Sequence, residues 1–156
     1  MEPRPVESLL AELGERLGML GLRLDAGGAC QLVFDQRWLV TLLHERSAGR
    51  LSLYCALGPA GQPDHLGTQA MADLLRANFL GQGCAGGALS FGPDGRAYLQ
   101  LSLNLADAGA QDLHNRLETL LNQCETWSER LQRGEGSGQT APAAGRPPPA
   151  WAIQRA

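Results

Sequence analysis

The chain has 156 residues, of which 44% are hydrophobic, and it carries a formal net charge of -3. A chain of this length fits one domain that can bury a core without the help of metals or disulfides. The acidic balance argues against a surface for phosphate backbones, so we expect neither nucleic acid nor a membrane as a partner.

The N-terminus and the cysteines both indicate the compartment. Residues 1–5 lack a basic segment followed by an apolar one, and no window approaches the roughly 18 apolar residues of a membrane span. Cys30, Cys55, Cys84 and Cys124 stand far apart, and three of them are in phase with apolar neighbours. We therefore expect a cytoplasmic protein whose cysteines are small buried side chains rather than disulfides.

The first half of the chain predicts one helix and three strands. From Val6, apolar residues recur three and four positions apart, which is typical of an amphipathic helix. The period then drops to two in three runs, at residues 30–34, 38–42 and 51–57. The connections at residues 35–37 and 47–49 are too short to join parallel strands, so these strands should be antiparallel.

A second helix is predicted from His65 to Leu80, closed by Gly81. Its apolar residues cover more than half of its circumference. One side can pack on the sheet, but the remainder needs a second surface, which a two-fold partner commonly supplies. We therefore expect a homodimer, and the candidate interface residues are Met71, Leu75, Asn78, Phe79 and Leu89.

The second half adds a hairpin, a helix and a tail. Alternating residues around Leu89 and over 97–105 flank the turn at residues 92–95, and a long third helix follows with Asp107 as its N-cap. The order α-β-β-β-α-β-β-α, with strands in hairpins, implies an antiparallel sheet with three helices, the α+β class. The domain should span residues 1–133, because residues 134–156 are rich in Gly and Pro and predict a disordered tail.

The sequence offers no assembled chemistry, which predicts no enzyme, cofactor or metal site. Residues 81–86 match G-x-G-x-x-G, but they follow a helix and precede a strand, the reverse of a dinucleotide site, so we interpret them as a flexible connection. His44, His65 and His114 lack the spacing of zinc ligands. Each serine lacks a nucleophile elbow, and no cysteine stands beside a histidine.

Several segments resemble the class I chaperones of bacterial type III secretion, the Tir chaperone (CesT) family. The strongest are LLRANFLGQG at residues 74–83, GALSF at 87–91 and PDG at 93–95. The first helix, at residues 9–18, is similar to that family's opening, and residues 120–127 are similar to its closing helix. The resemblance extends over residues 5–133 and agrees in element order.

The resemblance implies a homodimer joined through the second helix and a neighbouring strand. Such a dimer would bind the N-terminal segment of a secreted effector in extended form and keep it secretion-competent without ATP. It also implies the secretion ATPase as a further partner. The candidate effector contacts are Leu9, Leu13, Leu17, Val33, Leu39 and Tyr98. The same regular spacing is also that of core residues, so both interpretations stay open.

Two other classes of function remain open at this point. A dimeric adaptor or regulatory protein of the same fold would share every folding feature and differ only in its client. A small-molecule-binding or catalytic α+β domain would need a concave pocket with converging polar groups, whereas this sequence offers mostly leucine.

Overall fold

The structure is a computed structural model that describes residues 5–58 and 65–134. The elements in chain order are α1 (Val6–Leu17), β1 (Ala29–Phe34), β2 (Trp38–Glu45), β3 (Arg50–Ala56), α2 (Thr68–Ala77), β4 (Ala88–Phe91), β5 (Ala97–Asn104) and α3 (Ala110–Gly134). Short 3₁₀ turns lie at Arg46–Ala48 and Phe79–Gly81. This order and the α+β class are those predicted. The disordered tail was predicted for a segment that, from residue 135 onward, lies outside the described residues.

The strands form one antiparallel sheet in the order β1-β2-β3-β5-β4. The turn between β1 and β2 is tight, because the Arg37 amide donates to the Phe34 carbonyl at 3.0 Å. Its two central residues, Asp35 and Gln36, both have positive φ. That conformation matches the right-handed twist of paired strands, so the turn fixes their register.

The core lies on one face of the sheet. Alternate strand residues such as Leu42, Leu53 and Leu101 are buried on this face, and register pairs them across neighbouring strands. Helix α3 packs on β5 and β3, α1 packs on α3, and α2 packs on β4 and α3. The intervening residues of each strand therefore lie on the opposite face of the sheet.

Helix α3 supplies most of the helical core, but it begins later than predicted. Its buried side chains are Leu113, Leu117, Leu120, Cys124, Trp127 and Leu131. The first helical residue is Ala110, so Asp107 lies outside the helix and is not the N-cap. Instead, the Gly109 amide donates to Asp112 Oδ2 at 2.8 Å. This carboxylate satisfies a backbone donor that the helix start would leave unpaired.

Helix α2 is shorter than predicted at both ends. It spans Thr68–Ala77, with extended backbone at Gly67 before it. At its other end, Leu80 has a φ of 52°, which an α-helix cannot accommodate. The 3₁₀ turn therefore replaces the last helical turn that the sequence predicted.

The glycine-rich connection after α2, residues 81–86, is compact and hydrogen-bonded to its surroundings. The Gly83 amide donates to the Ala77 carbonyl at 3.0 Å, and the Gly86 amide donates to the Gly81 carbonyl at 2.9 Å. The Trp127 indole then donates to the Gly83 carbonyl at 3.0 Å. These bonds tie the connection to α2 and α3, so its glycines serve close packing.

We expect Gly87→Ala to destabilise the fold strongly. A Cβ at Gly87 would overlap the Gln100 carbonyl oxygen and a Leu101 methyl group. Overpacking against backbone typically costs about 1–3 kcal/mol, which corresponds to a drop of several degrees in Tm. Gly67→Ala is the control, since a Cβ there meets nothing within 4 Å. Equal melting temperatures for the two variants at one protein concentration would contradict the packing argument.

Candidate protein-binding surfaces

The described residues offer no metal centre, and their cysteines lie in the core. No group of three or more His, Cys, Asp or Glu in this part of the chain could hold a metal ion. Cys30, Cys55, Cys84 and Cys124 are all buried, as predicted. A hydrogen bond with Cys55, together with burial, raises the pKa of the Cys124 thiol far above its ordinary value. A protonated, buried thiol is a poor nucleophile.

Exposed apolar side chains form one candidate surface on α2 and the adjoining segments, which we call the helix surface. Its members are Met71, Leu75, Phe79, Leu80 and Phe91. Leu75 is 72% exposed, whereas Leu74 beside it is buried against the core. The wide apolar arc of α2 is therefore split between the fold's interior and an open surface. Exposed apolar groups concentrated in this way commonly mark a protein interface.

Two of the predicted interface residues have a role inside the chain. The Asn78 side-chain amide donates to the Leu89 carbonyl at 2.8 Å, and the Leu89 amide donates to Asn78 Oδ1 at 2.7 Å. The Leu89 side chain is buried in the chain's own core. The Leu89 side chain therefore has little apolar surface left to offer a second copy. The Asn78 side chain instead occupies the backbone amide and carbonyl of Leu89 on the outer edge of β4. These groups are then not free to pair with another strand.

A second candidate surface lies on the sheet face opposite the core. Val33 and Leu39 are direct neighbours across β1 and β2, and they are 55% and 49% exposed. Tyr98 pairs with Ala56 farther along the same face, and its ring meets Tyr54 edge-on with 6.1 Å between centroids. We call Val33, Leu39, Tyr54 and Tyr98 the sheet surface. Only Tyr54 was not among the predicted contacts on the sheet.

The predicted client contacts on α1 have little or no exposed surface in the single chain. Leu9 and Leu13 have no exposed surface, because both belong to the core cluster shared with α3. Leu17, the last residue of the helix, is partly buried against the same cluster. Leu9 and Leu13 cannot touch a client while this packing persists. The sequence did not separate these residues from Val33 and Leu39, because core and surface sites share the same apolar spacing.

One end of the sheet surface opens into a cavity of about 470 Å³ that contains two arginines. Arg37 donates to Ser128 Oγ at 3.0 Å, and its guanidinium lies 4.3 Å from the centroid of Trp38. Arg96 donates through Nη2 to the Gly58 carbonyl at 2.7 Å, while its Nε is buried without a partner. Neither arginine was singled out from the sequence, because isolated basic residues carry no pattern.

Asp94 is the acidic side chain that stands beside Arg96, and its charge is engaged elsewhere. Tyr98 donates its hydroxyl to Asp94 Oδ2 at 2.6 Å, and this bond holds the pKa of Asp94 below its usual range. The same bond raises the pKa of Tyr98. The nearest approach of Asp94 to the Arg96 guanidinium is 4.0 Å. The contact orients Tyr98 on the sheet surface.

No helix in the described ranges is long and apolar enough to cross a membrane. No curated protein matches the sequence significantly.

Solved structures match the fold over most of the chain. The structure of the ExsC-ExsE complex matches with a TM-score of 0.70 and 28% identity, covering 81% of this chain and 92% of that chain. The HopA1-SchA chaperone-effector complex matches with a TM-score of 0.65 and 23% identity, covering 80% and 93%. The Yersinia pestis type III secretion chaperone SycH, solved with a fragment of YscM2, matches with a TM-score of 0.65 and 22% identity, covering 79% and 99%.

The sequence itself matches a family model across residues 8–128, which include most of α1, all five strands, α2 and most of α3. That model is described as the Tir chaperone protein (CesT) family. The chain therefore belongs to the Tir chaperone protein (CesT) family, as its sequence segments predicted.

Proposed function

We propose that the chain is a cytoplasmic type III secretion chaperone that works as a homodimer. It binds an N-terminal segment of a secreted effector in extended form, without ATP, and keeps that segment competent for secretion. The sheet surface carries this proposal, because it exposes apolar side chains on strands rather than in a closed pocket. Membership of a chaperone family and the likeness to the HopA1-SchA chaperone-effector complex support it.

In this proposal the helix surface forms the dimer and the sheet surface binds the client. The helix surface is apolar and includes the exposed side of α2, so a second copy can cover it through the two-fold axis that dimers commonly use. The sheet surface lies on the opposite face of the sheet from the core and stays open to a client. Dimerisation and client binding therefore use different side chains, and single substitutions can separate them.

Strand β1 offers the client backbone a place to pair. The His44 amide donates to the Gly28 carbonyl at 2.9 Å, so alternate residues of β1 face β2 and the others face outward. The outward groups of Ala29 are already paired with Asp25, at 2.9 Å through the side chain and 2.7 Å through the backbone. Gln31 and Val33 follow Ala29 on that edge. An added strand there would lay its side chains beside Val33 on the sheet surface.

The binding mechanism is physical rather than covalent. Ordering a disordered segment costs about 2–5 kcal/mol, which several buried apolar side chains can offset at roughly 25 cal/mol per Å². Neither contribution requires nucleotide hydrolysis. The secretion ATPase enters this proposal as a partner that receives the chaperone-effector complex.

The decisive test maps the binding segment of the client. Tagged chain purified from its native host should retain a secreted protein, which mass spectrometry identifies. Truncations of that protein should localise binding to a stretch within roughly its first hundred residues, as expected for a segment bound without folding. Binding should persist after deletion of the globular domain and in the absence of ATP. A client that binds only when natively folded would instead establish a dimeric adaptor or regulatory protein of the same fold.

A further inference from the structure

Two arginines line one end of the sheet surface, although the chain as a whole is acidic. The full sequence is acidic, with a net charge of -3. The cavity beside Leu39 and Tyr98 nevertheless contains Arg37 and Arg96, and no acidic side chain lines it among the described residues. Both guanidiniums are held in place by hydrogen bonds to the protein. The described lining of the cavity therefore carries two positively charged side chains, each oriented by a hydrogen bond, while Asp94 lies 4.0 Å from the Arg96 guanidinium outside that lining.

The hydrogen-bonding capacity of this site is incomplete. Arg96 Nε is buried and unpaired, and Asp94 reaches its guanidinium only at 4.0 Å. Because Nε is enclosed, an occupant of the cavity would meet the other guanidinium nitrogens, and the acceptor that best pairs with a guanidinium is a carboxylate. The cavity walls also contain Leu39, Leu57 and the two tyrosine rings, which favour apolar groups. An occupant should therefore combine an apolar side chain with a nearby carboxylate.

We propose that the Arg37 and Arg96 pair reads an Asp or Glu side chain within the apolar segment of the client. This inference rests on the proposed function and adds a specificity rule to it. Apolar contacts along the sheet surface supply binding to many extended segments, and the two arginines select those with an acidic residue in register. A client carrying Lys or Arg at that position would place like charges together and be rejected.

A phage-displayed library of random 16-residue peptides, selected on the immobilised full-length chain, tests the rule. Enriched peptides should contain apolar residues at alternate positions and an excess of Asp or Glu over the library composition. One such peptide, resynthesised with Glu→Gln, should bind about tenfold more weakly, as expected for a charge-assisted hydrogen bond. With the combined substitution Arg37→Gln and Arg96→Gln in the bait, both peptides should bind equally well. Arg46→Gln, an exposed arginine outside this cavity, is the matched control and should keep the tenfold preference.

The outcomes separate this inference from the proposed function. Enrichment of apolar peptides without an acidic excess, or an acidic preference that survives when both Arg37 and Arg96 are Gln, overturns the specificity rule and leaves the chaperone proposal intact. No enrichment of any peptide overturns both. A change in the mass of the free protein on Arg96→Gln, measured by light scattering, would assign this surface to an interface between copies and also overturn the rule. Thermal melts confirm that each variant is folded.

Discussion

Leu75→Arg should convert the protein from a dimer to a monomer at micromolar concentration. Leu75 is the most exposed large apolar residue of α2, so the substitution leaves the core of the single chain untouched. In a two-fold dimer through the helix surface, each copy would bury an unpaired guanidinium, which costs about 3–5 kcal/mol. A cost of this size weakens association by more than a hundredfold. Light scattering should show the mass falling from twice the chain mass to 16.6 kDa.

The control for this experiment is Leu20→Arg. Leu20 is 88% exposed and lies after α1, outside the helix surface, so it adds the same charge without touching the proposed interface. The Leu20→Arg protein should remain a dimer. A native chain that is already monomeric, or a Leu75→Arg protein that stays dimeric with an unchanged melting curve, would remove the helix surface from the dimer interface. Phe79→Arg provides a second substitution on the same surface.

The spacing of the apolar residues and the lengths of the turns predicted the fold well wherever the local sequence determines the structure. The alternation in β5 and the stripe of α3 each identify one buried face, and the short connections at residues 35–37 and 47–49 force antiparallel pairing. Helix ends were predicted less well, because they depend on single backbone conformations. Leu80 shows this clearly, since its positive φ ends the helical segment although leucine favours helices.

The interaction surfaces were only partly predictable, because exposure depends on what lies above each residue. Leu13 and Leu39 are equally apolar, yet Leu13 is buried in the core cluster and Leu39 is half exposed. Phe91 has the same strand parity as buried Leu89 and would be read as core, but it lies at the end of a short edge strand and stays exposed. Arg96 becomes a candidate contact residue only because it lines a cavity, and the sequence alone does not show that cavity.

The combined substitution Val33→Thr and Leu39→Asn should weaken client binding by tenfold to a hundredfold and leave the dimer intact. Both side chains are about half exposed in the single chain, so a bound client can bury the remaining apolar surface. That surface contributes roughly 1 kcal/mol for each residue, and the new polar atoms add a desolvation cost when a client covers them. Thr and Asn are uncharged, so neither can pair with Arg37 and imitate a client carboxylate. Titration calorimetry with the mapped client segment measures the change.

Leu20→Asn is the matched control, because it removes an exposed leucine that lies on neither surface. It should bind the client as tightly as the native chain does. Light scattering and a thermal melt must show that the double variant is still a folded dimer, since Asn is unfavourable in strands. With those two measurements unchanged, weakened binding would place the client on the sheet surface. Unchanged affinity would show that the client binds outside the sheet surface. The helix surface would then be the next candidate, and Leu75→Arg should in that case abolish client binding as well as dimerisation.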